Sequence, residues 1–593
     1  MMKPIHAAAT ASVAVSKARA DRLIAWLRDY AETRIDSRLF DERRCVPPFV
    51  ILDFGNQGVL GLQIPEEFGG LALTNRDFLR VIEQLAAIDI SLASLVFIHN
   101  ANGIRPIMGY AKPELRAELL PVLAAGRALS AFALTEPAAG SNLPNLEARA
   151  EPDGKGGWRL YGVKRWNASG WAGIVSVFAR VVDARGRLGH ATGFVVRQGM
   201  PGFRIGPESL TMGVRSIMQN ALILDGVQVG PEDVLGEVGK GMEVADEALL
   251  IARLCMGAIS LGGMKRCAQL MHRYVSRRQV STGRLLDTPS TLKVVTDLTL
   301  QITAVQVLVD QLCATLDAGD YPAEEACMIA KIIASNGLWQ AADDLVESLG
   351  GRGYMENNIA PQILRDCRML RIGEGANDLM TLSVGRRVLH SDRLRAMLRN
   401  DLATPHLDDM LRATAEQIMT RCLAAEAPFK ERGAAVAWAH TLTGQVAVQI
   451  VLLATLEDAA RKTPTPAILR AREWAQARLD RVRDEALQGS LAERLMIEAS
   501  EATALIGGYD ADIGDLEQAP PGIEEKIDPL LQRVPNRGGP KPFTHLPGTA
   551  NGEMPPPRAI LPANPPVDPK PMTRDEKRQL AARLLQSRLA PSV

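Results

Sequence analysis

The sequence predicts an α+β protein with a helical N-terminal domain, a small central antiparallel β domain and a C-terminal four-helix bundle, followed by an additional helical region and a flexible tail. Three observations support this prediction. Apolar residues recur at helical spacing to about residue 128, glycines and alternating β-branched residues follow Ser130, and helical spacing returns at Gly241. A chain of 593 residues is also too long for one hydrophobic core.

The N-terminal α domain is expected over residues 20–130, after a flexible, Ala-rich start at residues 1–19. Leu23, Trp26 and Leu27 share one face of its first helix. We interpret the slightly basic start as a frayed cytoplasmic N-terminus, with an organelle transit peptide as the alternative. His99 ends the apolar run SLVFIH, which favours a core histidine over a catalytic one.

The central β domain is expected over residues 131–240. Val175, Val177, Ala179 and Val181 alternate along one predicted strand, and shorter strands are expected at residues 191–196 and 221–229. Glycine and proline turns separate these strands, which is typical of a small antiparallel sheet.

The four-helix bundle is expected over residues 241–399, with helices near 241–277, 289–317, 322–348 and 376–398. Thr288 followed by Pro289 is a suitable N-cap and first-turn pair for the second helix. The apolar positions of these helices are interpreted as bundle core.

Beyond the bundle, an additional helical domain is expected over residues 400–510 and a Pro/Gly-rich linker over residues 511–572. The terminal segment 573–590 begins with a capping box, Thr573 and Glu576, and places leucines along one face. Such an amphipathic helix on a long tether indicates a docking element for a partner.

The composition excludes several classes of function. The formal net charge is zero, and no basic run is interleaved with aromatic residues, so a nucleic-acid partner is not expected. The seven cysteines are scattered without metal-type spacing, which predicts no metal site and a reducing, cytoplasmic location. No membrane span is expected, because the most apolar run, residues 446–456, is short.

The most informative stretch is LRDCRMLRIGEGANDLM, residues 364–380. It places Glu374 between Gly373 and Gly375, where the small neighbours let a ligand approach the backbone closely. A carboxylate in this setting is either a general base or a loop residue that caps the following helix.

Three motifs, taken together, resemble those of acyl-CoA dehydrogenases. They are FALTEPAAGSN at residues 132–142, KRWNASG at residues 164–170, and LRDCRMLRIGEGAND at residues 364–378. Their order and spacing agree with that family, as does the order of helical, β and helical domains. The resemblance covers residues 21–399.

The resemblance implies removal of two hydrogens from the α and β carbons of an acyl thioester, with FAD as hydride acceptor. Glu374 is then the base that takes the α proton, and burial should raise its pKa. Some family members carry the base directly before the arginine that corresponds to Arg253, but Ala252 stands there in this chain. The predicted substrate-binding residues are Ser141, Arg253, Gly373 and Gly375.

The same resemblance assigns the flavin contacts. Thr135 is expected to hydrogen bond the isoalloxazine, Trp166 to pack against its rings, and Ser141 to reach the pyrophosphate or the thioester. Arg278, with Arg277 as the alternative, is expected to reach the cofactor of a neighbouring subunit. The predicted cofactor-binding residues are Phe132, Leu134, Thr135, Gly140, Ser141, Trp166, Ala168, Ser169, Arg278, Gly350, Gly351, Ala376 and Asp378.

The chain departs from the family pattern at several contacts. Ala168 replaces a hydroxyl near flavin N5, Ser281 and Thr282 replace a Phe-Gly pair, and Ala376 replaces a threonine. These changes imply weaker flavin binding or a specialised member. Gly373 stands where the family frequently has an aromatic residue, which implies room for a branched or bulky acyl group.

Several alternatives remain open at this point. An oxidase of the same superfamily would pass electrons to oxygen rather than to an electron-transfer flavoprotein, and a non-catalytic scaffold would use only the tail. The additional helical region resembles that of very-long-chain members and implies a homodimer. The terminal helix resembles those of polyketide and peptide assembly-line proteins, which implies an acyl carrier protein as a partner and polyketide biosynthesis as a setting.

Overall fold

The computed structural model of the chain describes residues 12–171, 173–424, 429, 431–490 and 496–513. All of them belong to one compact unit, Met1–Leu516. The predicted terminal helix and nearly all of the predicted linker lie outside the described residues.

Seven α-helices precede the sheet. The first begins at Val13, several residues before the predicted start near Ala20, because the buried Ser16 hydroxyl donates to Asp77 at 2.6 Å and anchors the first turn. A π-helical segment, Ile98–Ile104, connects the fifth helix to the sixth. The helices are α1 Val13–Arg34, α2 Ser37–Arg43, α3 Pro48–Asn56, α4 Asn75–Ile88, α5 Ile90–Phe97, α6 Arg105–Tyr110 and α7 Pro113–Ala124.

The central region forms one sheet in which strands follow the order β6-β7-β3-β2-β4-β5-β8, with β1 beside β4. The sheet is mixed, so the antiparallel prediction was wrong for two pairs: β1 and β2 each run parallel to β4. Parallel strands need a long connection rather than a hairpin turn, and the chain between β1 and β4 is long enough to provide one. The strands are β1 Leu129–Ala133, β2 Arg149–Pro152, β3 Trp158–Ala168, β4 Gly173–Val182, β5 Leu188–Arg197, β6 Phe203–Glu208, β7 Gln219–Val229 and β8 Val234–Leu235.

After the sheet the chain is again mainly helical. A small hairpin, formed by β9 Gln279–Val280 and β10 Gly283–Arg284, follows the first long helix of this region. Thr288 occupies the N-cap position of α9, but its hydroxyl donates to the carbonyl of Leu285 instead of capping the helix. The helices of this region are α8 Gly241–Val275, α9 Pro289–Asp317, α10 Glu324–Leu349, α11 Ala360–Leu370, α12 Asn377–Arg387 and α13 Asp392–Ala396.

Two features differ from the predicted four-helix bundle. An extra helix, α11, precedes Glu374, because Ile363, Cys367 and Leu370 form a buried stripe at helical spacing. The predicted helix 376–398 is interrupted, since α12 ends at Arg387 and the side chain of Ser391 caps the start of α13. Glu374 therefore lies between α11 and α12.

The additional region is helical and packs against the bundle. Gly385 of α12 and Gly444 of α15 lie at the crossing of the two helices, where a Cβ on Gly385 would come within 1.7 Å of the His440 carbonyl oxygen. Only glycine permits so close an approach. The helices are α14 Pro405–Cys422, α15 Arg432–Lys462, α16 Pro466–Gly489 and α17 Ala499–Ile513.

Two helices, α9 and α15, are long and apolar enough to cross a membrane by length and composition alone. The most apolar window of α15 is 67% buried within the protein, and that of α9 is 28% buried. The burial of α15 is typical of a core helix. Length and composition alone are therefore weak evidence that either helix spans a membrane.

His99 is a core histidine, as the sequence favoured. Its Nδ1 accepts a hydrogen bond from the backbone N–H of Ser130 at 2.9 Å, and its Nε2 lies 3.3 Å from the carbonyl of Leu123. Burial lowers the pKa of His99 to about 4, so the ring is neutral and pins the π-helical segment to the sheet.

Candidate active site

A cavity of about 760 Å³ lies between the π-helical segment, the sheet and the helices of the bundle. Most of the predicted site residues line this cavity, although they come from four separate stretches of sequence. Those that line it are Phe132, Leu134, Thr135, Gly140, Ser141, Trp166, Ala168, Arg253, Gly373, Glu374, Gly375 and Ala376.

Glu374 occupies a sharp turn at the edge of the cavity. Its φ is +56°, a left-handed conformation that costs a non-glycine residue about 1 kcal/mol or more. Gly375 follows with a φ of +109°, which favours glycine. The turn places the partly buried carboxylate of Glu374 on the cavity wall instead of in solvent.

The turn is held by Lys331, a fully buried lysine in the middle of α10. Its Nζ donates to the carbonyl oxygen of Gly375 at 2.6 Å and to Oδ1 of Asn377 at 2.7 Å. Asn377 in turn donates to Ser335 and Asn336, so α10 fixes both sides of the turn. Burial lowers the pKa of Lys331 to about 7.

The electrostatic environment of Glu374 combines one effect that raises its pKa with three that oppose it. Burial raises the pKa of the carboxyl, because the ionised form is less well solvated. A hydrogen bond from Asn102 and the nearby charges of Arg253 and Lys331 favour the ionised form. The net direction is upward, which is the direction that makes a carboxylate a stronger base.

Asn102 lies in the π-helical segment and reaches across to the bundle. Its Nδ2 donates to Oε1 of Glu374 at 2.9 Å, and its side chain lines the same cavity. The backbone N–H of Glu374 makes no hydrogen bond within the described part of the chain and is therefore available to an oxygen atom in the cavity.

The opposite wall belongs to the sheet. Trp166 has a φ of +55°, and 48% of its surface is exposed, so a large aromatic side chain lies against the open cavity. The neighbouring Thr135 is fixed by its carbonyl oxygen, which accepts from the backbone N–H of Arg165 at 3.0 Å. Lys164 and Glu136, both buried, form an ion pair at 2.6 Å that joins the two segments.

These features fit a flavin. An exposed indole and the phenyl ring of Phe132 offer apolar faces for a planar ring system, and the hydroxyls of Thr135 and Ser141 offer polar contacts. The buried hydroxyl of Ser169 has no hydrogen-bond partner within the described residues, but Ser169 does not line the cavity. Ala168 lines the wall but provides no polar contact.

Several methionines line the cavity. Gly373 has no side chain, but the space beside it is not empty: a Cβ there would lie 2.9 Å from Sδ of Met369 and 3.1 Å from Cε of Met256. Methionine ends rotate easily, so this wall can adapt its shape to an acyl group. The methionines that line the cavity are Met212, Met256, Met328, Met369 and Met380.

Five predicted cofactor residues do not line the cavity. Ser169 is buried behind Trp166, and Asp378 is exposed in the first turn of α12. Arg278, Gly350 and Gly351 are exposed after the ends of α8 and α10. The structure therefore does not bring these last three residues to the cavity of their own chain.

The sequence analysis missed two residues of the site, Asn102 and Lys331. Lys331 is the one charged residue in the apolar helical run CMIAKIIAS, which was a usable signal, whereas Asn102 follows His99 and Asn100 in SLVFIHNANGI and does not stand out there. Buried lysine and asparagine are costly without a partner, so such residues mark either a network or a functional site.

Three sequence models of one family match the chain. The acyl-CoA dehydrogenase N-terminal domain matches residues 18–127, the middle domain matches residues 131–227, and the C-terminal domain matches residues 239–389. Their order follows the helical, β and helical regions described above.

Relatives with this family name extend the match. The very long-chain specific acyl-CoA dehydrogenase of Mus musculus mitochondria is 33% identical over 340 residues, which cover 55% of this chain and 51% of the relative. The probable acyl-CoA dehydrogenase FadE10 of Mycobacterium tuberculosis is 29% identical over 417 residues, 67% of this chain and 63% of the relative. The chain thus spans about half the length of the mammalian relatives it matches.

Solved structures agree. The butyryl-CoA dehydrogenase of Megasphaera elsdenii matches with a TM-score of 0.60 at 25% identity, covering 63% of this chain and 98% of that chain. A glutaryl-CoA dehydrogenase of Mycobacterium smegmatis in complex with FADH2 matches with a TM-score of 0.58 at 25% identity, covering 63% and 95%. An acyl-CoA dehydrogenase of Bacillus anthracis, complexed with FAD, covers 83% of this chain and 90% of its own at 21% identity and a TM-score of 0.65, which shows the fold.

Proposed function

The chain belongs to the acyl-CoA dehydrogenase family, and from this premise we propose that it is a FAD-dependent enzyme that introduces a double bond between the α and β carbons of an acyl thioester. One observation carries the proposal: the carboxylate of Glu374, held in a strained turn, lies on the wall of a cavity whose opposite wall fits a flavin.

Glu374 is the proposed base. A thioester α C–H is a very weak acid in water, so its removal needs a carboxylate of raised pKa in a preorganised site. The pKa of Glu374 is raised by burial, and Asn102 and the Lys331 contacts fix the position of its turn.

The charge that develops on the thioester oxygen needs a hydrogen-bond donor. The backbone N–H of Glu374 is available, since it makes no hydrogen bond to any described residue. Lys331 holds the Gly375 carbonyl, two peptide units further along the same turn, and so limits movement of the turn that carries this donor.

The flavin is proposed to lie between Trp166, Phe132 and Thr135, with Ser141 toward the phosphates. When bound, FAD supplies the hydride acceptor for the β hydrogen. Trp166 and Phe132 would exclude water from the reacting carbons, and Lys164 with Glu136 would keep the two segments of this wall together.

The methionine wall favours an acyl group that is branched or bulky. The position of Gly373 adds no bulk, and rotation of Met256 and Met369 would enlarge the space beside the acyl α carbon. Glu374 and Gly373 together would then place a substituted α carbon against the base. Comparing 2-methylbutyryl-CoA, which is branched at the α carbon, with butyryl-CoA as substrates tests this part of the proposal.

We propose further that the protein is a cytoplasmic homodimer and that Arg278, Gly350 and Gly351 contribute to the flavin site of the other subunit. Their exposure outside the cavity of their own chain supports this arrangement, and Tyr354, beside them, is 83% exposed. An electron-transfer flavoprotein is the proposed electron acceptor. Light scattering measures the state of assembly, and the visible flavin spectrum of Arg278→Ala beside the wild type measures the effect of this residue on bound flavin.

A carrier protein as donor of the acyl group remains a proposal based on the sequence of residues 573–590, which lie outside the described residues. Deleting residues from Pro555 onward should reduce turnover of a carrier-bound acyl group and leave turnover of the corresponding acyl-CoA unchanged. Equal loss with both substrates contradicts this proposal.

The decisive experiment is anaerobic addition of acyl-CoAs to the purified full chain, with the visible flavin spectrum as readout. Bleaching by at least one acyl-CoA, and its loss in Glu374→Gln, is the expected result. Hydrogen peroxide formed in air would identify an oxidase. A colourless protein that cannot be reconstituted with FAD would contradict the proposal and favour a scaffold, an alternative supported by the missing hydroxyl at Ala168.

A further inference from the structure

Asn102 makes one side-chain hydrogen bond within the described residues, and that bond is to the proposed base. Its Nδ2 lies 2.9 Å from Oε1 of Glu374, across the interface between the π-helical segment and the α11–α12 turn. The side chain is 5% exposed, so water does not compete strongly for this bond.

The segment that carries Asn102 is fixed on both sides of it. The amide of Asn100 donates to the carbonyls of Val59 and Val96 and accepts from the N–H of Leu62. On the other side, a Cβ on Gly103 would lie 2.5 Å from the side chain of Ser130, so only glycine fits against β1. Asn102 is therefore held in place by neighbours that take no part in the bond to Glu374.

Stability does not explain an asparagine at this position. Its Oδ1 is buried and has no hydrogen-bond partner in the described part of the chain. A buried, unsatisfied carbonyl oxygen costs about 1–3 kcal/mol, which a leucine of similar size would avoid. Asn100, two residues earlier, has both ends of its amide satisfied and is the structural counterpart of Asn102.

We propose that Asn102 is a positioning residue whose amide N–H holds the Glu374 carboxylate in the orientation that takes the α proton. The inference rests on the proposed function and adds a residue to its mechanism. In the step itself, the α C–H bond breaks, its electron pair moves toward the thioester carbonyl, and the proton passes to an oxygen of Glu374. The oxygen that accepts from Asn102 is fixed, so the other oxygen is left to face the acyl group.

The same bond affects when Glu374 is ionised. Asn102 cannot titrate, so it donates at every pH and favours the carboxylate. The other charged groups that face Glu374 are Arg253 from α8 and Lys331 from α10, and both also favour the ionised form. Cys255 of α8 is a buried thiol whose pKa is raised, so it stays neutral.

The test measures proton abstraction alone. Phenylacetyl-CoA has α hydrogens but no β hydrogen, so it cannot be dehydrogenated, yet base-catalysed exchange in D₂O replaces its α hydrogens with deuterium. Mass spectrometry would follow this exchange against pD for the flavin-loaded wild type, Asn102→Leu, the matched control Asn100→Leu, and Glu374→Gln as baseline. Thermal unfolding of each variant would be measured in parallel.

In Asn102→Leu we expect the exchange rate at neutral pD to fall about tenfold and the midpoint of the profile to rise by roughly one unit, the size expected for a hydrogen bond to a charged group. The melting temperature should be unchanged or higher. Asn100→Leu should show the opposite pattern, with a lower melting temperature and an unshifted midpoint. Lys331 is present in every variant, so the shift of the midpoint reports the effect of the lost Asn102 bond on the coupled titration of Glu374 and Lys331.

An unshifted midpoint in Asn102→Leu overturns the inference, as does a fall in melting temperature equal to that of Asn100→Leu, because both would indicate a purely structural residue. Absence of exchange and of flavin bleaching in the wild type is a different result, which contradicts the proposed function itself.

Discussion

The two walls of the cavity are each braced by a completely buried lysine, but the two lysines have different partners. Lys164, in the sheet, is paired with the Glu136 carboxylate at 2.6 Å. Lys331, in the bundle, donates to the carbonyl of Gly375 and the amide oxygen of Asn377. Burial lowers the pKa of both, and Lys331 reaches about 7.

Because the two lysines have different partners, the two walls of the cavity differ in how far their charges can change. The charge of Lys164 is balanced locally, so we expect the flavin wall to keep its structure across the physiological pH range. The charge of Lys331 is balanced only by dipoles and by the nearby Glu374, so the protonation states of lysine and base depend on each other. The part of the site that handles the proton is thus the part whose electrostatics can change.

The largest loss of stability is expected from breaking the ion pair between Lys164 and Glu136. Lys164→Met leaves the carboxylate of Glu136 buried without a counter-ion, which costs about 3–5 kcal/mol of unfolding free energy. Chemical denaturation measures this loss, and weaker flavin retention should accompany it because Thr135 and Trp166 depend on the same pair.

The control is the double variant Lys164→Met with Glu136→Gln, which removes both charges. It should recover part of the lost stability, since no unpaired charge remains. If the double variant is as unstable as Lys164→Met alone, the ion pair is not what joins the two segments of the wall.

Lys331→Met should have a smaller effect that depends on pH. The folded pKa of about 7 lies below the ordinary value of 10.5, so between these values the unfolded chain binds a proton that the folded chain does not. The stability of the wild type therefore rises with pH in this window, and the variant lacks that rise. We expect little loss of stability at pH 6.5 and a loss about 2–3 kcal/mol larger at pH 9, because the variant lacks the rise of about 1.4 kcal/mol per pH unit above the folded pKa.

Denaturation of wild type and Lys331→Met at both pH values measures this difference. An equal loss of stability at pH 6.5 and pH 9 would contradict the assignment of Lys331 as an unbalanced cation. Lys164→Met provides the comparison, since its loss includes the cost of the unpaired Glu136 carboxylate at both pH values.

The smallest effects concern the two glycines beside Glu374. Gly375→Ala should lose about 1 kcal/mol, because Gly375 has a φ of +109° and a Cβ would lie 3.0 Å from Met380. Gly373→Ala meets only the mobile ends of Met256 and Met369, so we expect less than about 1 kcal/mol. Thermal unfolding of the pair measures the difference.

Gly373→Ala also tests which residues of the bundle wall set the substrate specificity. The added methyl group narrows the cavity beside the base, so kcat/KM for 2-methylbutyryl-CoA, which is branched at the α carbon, should fall by about tenfold while that for butyryl-CoA changes little. Equal changes with both substrates would show that the methionine wall, and not residue 373, sets the space beside the α carbon.

Sequence patterns located most of the site residues but not the hydrogen bonds between them. The motifs around Thr135, Trp166 and Glu374 carry recognisable spacing, and each lies on the cavity wall. Lys331 belongs to a largely apolar run and Asn102 to a run with other polar residues, and nothing local indicates which distant residue either of them contacts. Their partners are 272 and 44 residues away along the chain.

The order of helical, β and helical regions, and the placement of Glu374 in a glycine-flanked turn, were determined by sequence alone, because periodicity and turn residues act over a few positions. Only the tertiary structure decided that β1 and β2 run parallel to β4 and that Met256 and Met369 approach Gly373. These outcomes depend on packing between segments distant in sequence. The position and ionisation of Glu374 follow from the same packing, since its burial and its contacts come from three other elements.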